Sequence, residues 1–240
     1  MRKFVKIGIG IVLGILWLQK PRFRFRKRVK PFTRVDYAHR GLHSKELPEN
    51  TKAALKRAVE EGYGIEMDVR LCKDGLVIHH DKDLQRSAGL DLMVEDLTLE
   101  ELAQIKVFGS EETISSLEEI LEVIDGKIPL LLEIKSDSCH FRAAEEVQKR
   151  MDQYQGDYLI ESFQPQVLYW YRLHRPQVLR GQLSERKIPG NKFRRWIMAH
   201  LFVNAISRPD FLAYEKAGSL WVQLWRSLGT PTFVYTLRDP

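Results

Sequence analysis

YGIEMDVRLCKDGLVIHHD, residues 63–81, decides how this chain folds. In 63–69, Glu66 and Asp68 are two residues apart, so both carboxylates project from one face of an extended strand while Ile65, Met67 and Val69 take the other. The run LVIH predicts a second strand over 76–80 that ends on His80 and turns His79 to the opposite face. Charged side chains on so apolar a strand are costly unless they are paired or hold a cation. An exposed edge strand would carry the same acids with no chemistry attached, so the flanking sequence has to decide.

From Val35 onward, short apolar runs alternate with longer amphipathic stretches, the pattern of βα units on a parallel sheet. Strands are predicted at 35–39, 63–69, 76–80, 129–134, 157–163, 178–183, 203–207 and 232–237. Helices are predicted at 51–61, with Asn50 or Thr51 as N-cap, and at 98–106, 116–124, 140–154, 165–174, 191–201 and 211–228. Residues 81–115, rich in Asp, Glu and Gly and holding one good helix, read as an insertion after the strand that carries His80. In LEIK the same two-residue spacing puts Glu133 and Lys135 on one side of 129–135. Solvation at a strand end would explain either charged pair alone. Two pairs together, with HRG and HHD on neighbouring strands, favour a site.

His39, Arg40, Glu66, Asp68, His80, Glu133 and Lys135 all fall at or near predicted strand ends, and together they suit the breaking of a phosphodiester. His39 and His80 can shuttle protons, Glu66, Asp68 and Glu133 can hold a hard divalent cation, and Arg40 and Lys135 can neutralise phosphate oxygens. His39 is followed by Arg40-Gly41, where glycine permits a tight turn, and His80 precedes Asp81, which can orient an imidazole. His43, in a loop, is the rival to His39; His140, His174 and His200 have no comparable company.

The 240 residues are 44% hydrophobic, ample for a core, and carry a net charge of +6 that is unevenly placed. Residues 1–34 hold eleven Lys/Arg and no acid, leaving 27 Lys/Arg against 32 Asp/Glu in the rest. Cys72 and Cys139 fit neither a disulfide framework nor a zinc spacing. The apolar run IGIGIVLGILWL, residues 7–18, reads as an uncleaved transmembrane or interfacial anchor over 1–20, and the basic excess after it places the following domain on the cytoplasmic side. The arm 21–34, with RFRFRKRVK at 22–30, is expected to contact anionic membrane lipids rather than nucleic acid. Residues 35–240 form the remaining domain.

HRG at 39–41, PENT at 48–51, EMD at 66–68, GLVIHHD at 75–81, LEIK at 132–135 and SF at 162–163 resemble, in order, the glycerophosphodiester phosphodiesterase family. That resemblance implies an α/β fold of the TIM type, a (β/α)8 barrel with 81–115 as its small extra subdomain. It also implies a calcium or magnesium ion at the strand C-termini, with Glu49 lining or supporting it. The implied reaction is hydrolysis of a glycerophosphodiester to glycerol 3-phosphate and an alcohol; internal attack by the glycerol 2-hydroxyl is the alternative to attack by water. Where the family usually has Trp-Thr-Val-Asn, this chain has Tyr235-Thr236-Leu237-Arg238, so Tyr235 is the ring expected beside the glycerol. Seven barrel strands are counted, the sixth at FVNAIS, and the eighth is expected to be missing. Lysophospholipids at a membrane are the alternative substrate, and an inactive, truncated, tethered scaffold is the alternative to an enzyme.

Overall fold

The structure is a computed structural model that describes residues 2–185, 190–215 and 218–235. Helix α1 (Arg2–Gln19) leads through a 3-10 turn at Phe23–Phe25, α2 (Arg26–Val29) and a second turn at Phe32–Arg34 into β1 (Tyr37–His39). Then follow α3 (Lys52–Glu60), β2 (Gly64–Leu71), β3 (Leu76–Ile78), α4 (Gln85–Ala88), α5 (Leu99–Leu102), α6 (Leu117–Ile124), β4 (Leu130–Ile134) and α7 (His140–Met151). The chain continues through β5 (Tyr158–Ser162), α8 (Pro165–His174), β6 (Arg180–Ser184), α9 (Lys192–Ala199), α10 (Asn204–Ser207), β7 (Phe211–Glu215), α11 (Leu220–Ser227) and β8 (Thr232–Tyr235).

Seven strands run parallel in the order β1-β2-β4-β5-β6-β7-β8, and β3 folds back antiparallel on β2. This is the α/β, TIM-like arrangement expected. Among the described residues no ladder joins β8 to β1, yet the sheet curls far enough for the rings of Tyr37 and Phe233 to meet edge-on at 5.9 Å.

Period-two alternation sorts the strands into two faces. Ile65, Met67, Val69, Leu130, Leu132, Ile134 and Ile160 face outward and pack against the apolar stripes of α3, α6, α7 and α8. Inside the curl, Leu131, Leu159, Leu179 and Phe211 form an apolar floor. Above that floor the inward positions turn polar: the register sets His39 beside Glu66, Asp68 beside Glu133, and Glu133 beside Glu161. The insertion has a small core of its own, built on Leu84, Val94, Leu102, Val107 and Ile114.

Two sequence expectations are corrected here. Residues 204–207, read as the sixth strand, are the short helix α10, while the first part of the predicted helix 211–228 is the strand β7. Phe211 pairs with Gly181 on β6, where an added Cβ would lie 2.0 Å from the Phe211 ring, so that neighbour must be glycine.

The second correction concerns the N-terminus. Among the described residues no helix is long and apolar enough to cross a membrane, and this overturns the reading of a membrane-anchored, cytoplasm-facing protein. Helix α1 has 18 residues, about 27 Å at 1.5 Å per residue against about 30 Å of bilayer hydrocarbon, and it includes Arg2, Lys3 and Lys6. Its end docks on the barrel: the Gln19 amide donates to His200 O at 2.6 Å, and Asn204 donates to Gln19 O at 2.8 Å. The basic arm closes the floor from below. Val29 is fully buried with Leu131, Leu159, Leu179 and Phe211, while Phe25 and Phe32 pack around it. Arg22 pairs with buried Asp210 at 2.5 Å, and Arg28 donates to Gln177 O at 3.1 Å.

Candidate active site

The site lies above the floor, at the C-terminal ends of β1, β2 and β4. The HRG turn starts it. Arg40 and Gly41 both adopt positive φ, 59° and 83°, and a Cβ on Gly41 would come within 2.8 Å of the Ala54 carbonyl carbon. For arginine this conformation is strained, and the surroundings hold it: Arg40 N donates to Glu66 O at 2.9 Å and lies 3.1 Å from Glu66 Oε2. The turn sends the guanidinium back over the sheet, with Nε 3.2 Å from Asp68 Oδ2 and Nη1 2.8 Å from Glu49 Oε1.

The β2–β3 hairpin delivers the second imidazole. β2 runs on past Asp68 to Leu71 and β3 returns beside it, so that His79 N donates to Asp68 O at 3.0 Å. His79 points away and is buried, its ring nitrogens on Asp81 O and Ser87 Oγ at 2.9 and 3.0 Å. His80 faces the site, its Nδ1 2.7 Å from Asp81 Oδ1 and its backbone carbonyl accepting from Arg70 Nε at 2.9 Å.

Glu66, Asp68 and Glu133 are all buried, and one oxygen from each lies within 4.8 Å of the others. Lys135 Nζ reaches across them, 2.7 Å from Glu133 Oε1 and 3.1 Å from Asp68 Oδ1. These two oxygens make no hydrogen bond of regular geometry, and Lys135 and Arg40 together leave one of the three carboxylate charges uncompensated. The imbalance appears in their protonation. Burial, then Asp68, Glu133 and Glu161, push Glu66 well up. Burial pushes Glu133 up to about 7 even with Lys135 opposing it. Burial acts the same way on Asp68, but Lys135, His80 and Arg40 outweigh it and hold this acid below its usual range. An all-oxygen donor set with surplus buried negative charge fits a hard divalent cation.

Burial, followed by the charge of Arg40, lowers His39 to about 4; its Nε2 lies 3.9 Å from Glu66 Oε2. His80 is lowered as well, by burial and then by Lys135. Both rings are therefore neutral near pH 7 in the metal-free protein and able to accept a proton.

The structure thus gathers His39, Arg40, Glu49, Glu66, Asp68, His80, Asp81, Glu133 and Lys135. Tyr235 stands apart on β8; its hydroxyl donates to Ser184 O at 2.8 Å, and its ring meets Phe163 edge-on at 6.3 Å. Phe163 in turn lies under Lys135 Nζ, 5.8 Å from its ring centroid.

Three site residues escaped the sequence reading. Asn50 was noted only as a possible N-cap; Thr51 fills that place, and Asn50 donates instead to Asp68 Oδ2 at 2.8 Å. Glu161 is buried on β5 beside Glu133 with Oε2 unpartnered, and a lone acid inside LIESF carries the same signal as Glu66. Arg86, from α4 in the insertion, bonds both Glu49 and Asp81, at 2.6 and 2.5 Å. Nothing in its local sequence marks it.

The chain is similar to known proteins in sequence and in fold. A glycerophosphodiester phosphodiesterase of Caldanaerobacter subterraneus is 45% identical over 118 residues, 45% of this chain and 48% of that protein. A mouse lysophospholipase D is 31% identical over 143 residues, 54% of this chain and 43% of that protein. The chain spans about half the length of the curated relatives it matches. The structure of an Oleispira antarctica phosphodiesterase in complex with its product sn-glycerol-3-phosphate superposes with a TM-score of 0.72 at 27% identity, covering 88% of this chain and 87% of that one. The model of the glycerophosphoryl diester phosphodiesterase family matches residues 39–240, a span that begins at the first catalytic candidate and takes in all the others. The chain belongs to that family.

Proposed function

We propose that this protein hydrolyses glycerophosphodiesters to glycerol 3-phosphate and an alcohol, with a calcium or magnesium ion held by Glu66, Asp68 and Glu133. The observation that carries the reading is the buried carboxylate triad, its oxygens within 4.8 Å of one another, set among two imidazoles, Arg40 and Lys135. The product complex of the Oleispira relative supports the choice of glycerol 3-phosphate.

A phosphodiester resists attack because its oxygens repel the nucleophile and its alkoxide leaves poorly. A divalent cation on the triad would shield the non-bridging oxygens and make phosphorus more electrophilic. Arg40 and Lys135 sit on either side of Asp68 and bind the same oxygens, from donors already fixed in place before substrate arrives. One neutral imidazole of the pair His39 and His80 takes a proton from the attacking water. The other, protonated once phosphate charge is nearby, returns a proton to the leaving alkoxide. Asp81 holds His80 by Nδ1 and so leaves Nε2 for that exchange. Tyr235 and Phe163 offer an aromatic wall for the glycerol.

The test is release of glycerol 3-phosphate from glycerophosphocholine and glycerophosphoethanolamine, with and without calcium or magnesium, by the unaltered chain and by Glu66→Ala and His80→Ala. Turnover that needs the cation and disappears in both variants supports the proposal; turnover surviving Glu66→Ala overturns it. Lysophospholipids belong in the same assay, because the mouse lysophospholipase D is among the relatives. Faster turnover of these lipids would change the substrate and keep the chemistry.

A further inference from the structure

Between the phosphate side of the site and His80 runs a continuous chain of alternating charge. Arg40 Nη1 lies 2.8 Å from Glu49 Oε1, and the same oxygen takes Arg86 Nη2 at 2.6 Å. Arg86 Nε lies 2.5 Å from Asp81 Oδ2, and the other Asp81 oxygen is 2.7 Å from His80 Nδ1. The central member, Arg86, comes from within the insertion, and Asp81 stands at the insertion's first position. Glu49 and Asp81 sit on separate loops, and the fork of Arg86 bridges them. Its guanidinium is backed by the Phe108 ring, also from the insertion, at 5.3 Å.

We propose that Arg86 is a positioning residue: it fixes Asp81, and through it the ring of His80, while fixing Glu49 and through it Arg40, so that the insertion sets the geometry of the catalytic groups without touching substrate. The inference rests on the reading of His80 and Arg40 given above. Three physical points carry it. Arg86 spends Nε and Nη2 on two carboxylates, so these donors are turned to the protein rather than to phosphate. Planar, forked donation can hold two acids at a fixed separation, which an ammonium cannot do. Groups that orient a catalytic imidazole from behind matter through angle more than through charge, and a small rotation of His80 misdirects its free nitrogen.

The experiment compares the full chain with Arg86→Ala and Arg86→Lys, each loaded with calcium or magnesium. It reads kcat and KM on glycerophosphocholine, cation affinity by calorimetry, and the His80 ring nitrogens by 15N NMR. For Arg86→Ala we expect kcat to fall roughly 10- to 100-fold, with KM and cation affinity little changed. The hydrogen-bonded Nδ1 signature of His80 should disappear as well. Added guanidinium, below denaturing concentrations, should restore part of the rate, and Arg86→Lys should restore less than arginine itself. An Arg86→Ala enzyme with unchanged kcat overturns the proposal. So does a slow one that guanidinium does not rescue and whose His80 signature is intact. If Arg86→Ala does not fold, Arg86→Gln takes its place, and failure of both makes Arg86 a structural residue and ends the proposal. Should the unaltered chain turn over no glycerophosphodiester, the functional reading fails, while the His80 signature still decides the role of Arg86.

Discussion

Lys135, the first residue past the end of β4, sets its Nζ 2.7 Å from Oε1 of Glu133, two residues back on that strand. In the proposed reaction Lys135 binds phosphate and Glu133 binds the cation, so the two roles can be separated. Lys135→Met should lower kcat on the order of 10²- to 10³-fold, the usual cost of losing one preorganised donor, while cation affinity is kept or raised. Kinetics together with calorimetry check this; equal loss of both would mean that Lys135 only holds the carboxylates.

The protonation of the triad gives the metal-free protein a distinctive pH dependence. Glu133, pushed up to about 7, and Glu66, pushed well above its ordinary range, carry protons in the folded state that the unfolded chain has already released. Their contribution is present at low pH and is lost as pH rises through the folded values. His39, His79 and His80, all lowered by burial, act with the opposite sign, but only below about 6.5, where an unfolded histidine begins to charge. Between pH 6.5 and 8 the carboxylates act alone, and metal-free stability should fall by up to about 1.4 kcal/mol per pH unit for each proton lost. Chemical denaturation at several pH values measures it. Saturating calcium should flatten the slope, because the cation displaces those protons and the triad then binds none in either state.

Replacing Glu66 by glutamine should separate stability from function. The substitution removes a desolvated acid that Asp68, Glu133 and Glu161 repel, so the metal-free protein should keep its stability or gain about 1 kcal/mol. Cation binding should be lost. A thermal melt with and without calcium gives both answers, and a large drop in metal-free Tm would refute the account of the triad as a strained cluster.

Val29 tests the role of the basic arm. Its side chain is fully enclosed by the floor residues, so Val29→Ala should cost roughly 2 kcal/mol in urea denaturation. Arg24→Ala, a few residues away and exposed, should change stability by no more than about 0.5 kcal/mol. If the two cost the same, the arm is not part of the core.

Most of the site was legible because charged residues at alternate positions of an apolar strand have so few physical explanations. Glu66, Asp68, Glu133 and Lys135 were found that way, and the HRG turn and the HHD strand end supplied the rest. The errors lay where periodicity is ambiguous. VNAIS and FLAYE are both short, mostly apolar segments of five residues, and such segments do not distinguish a strand from a buried helical turn. What separated them was the long-range pairing of Phe211 with Gly181, which local sequence does not carry. The same blindness made RFRFRKRVK look like a surface arm, since the burial of Val29 and the pairing of Arg22 with Asp210 depend on residues more than a hundred positions away. Arg86 was invisible for the same reason.

The β2–β3 hairpin has one further consequence. His79 and His80 are neighbours with the same chemistry, and only the pairing of Val69 with Ile78 decides which of them looks inward. Lengthening or shortening the connection at 72–75 by one residue would exchange the two rings, turning His80, the proposed proton carrier, toward Ser87 and His79 toward the site. That connection is therefore intolerant of length change in a way its exposed Lys73 and Asp74 conceal. Of its side chains only Lys73 is free to vary, since Cys72 is buried, Asp74 accepts from Leu99 N and a Cβ on Gly75 would lie 2.5 Å from Leu99, and a change of length would hand the proposed proton exchange to the other ring.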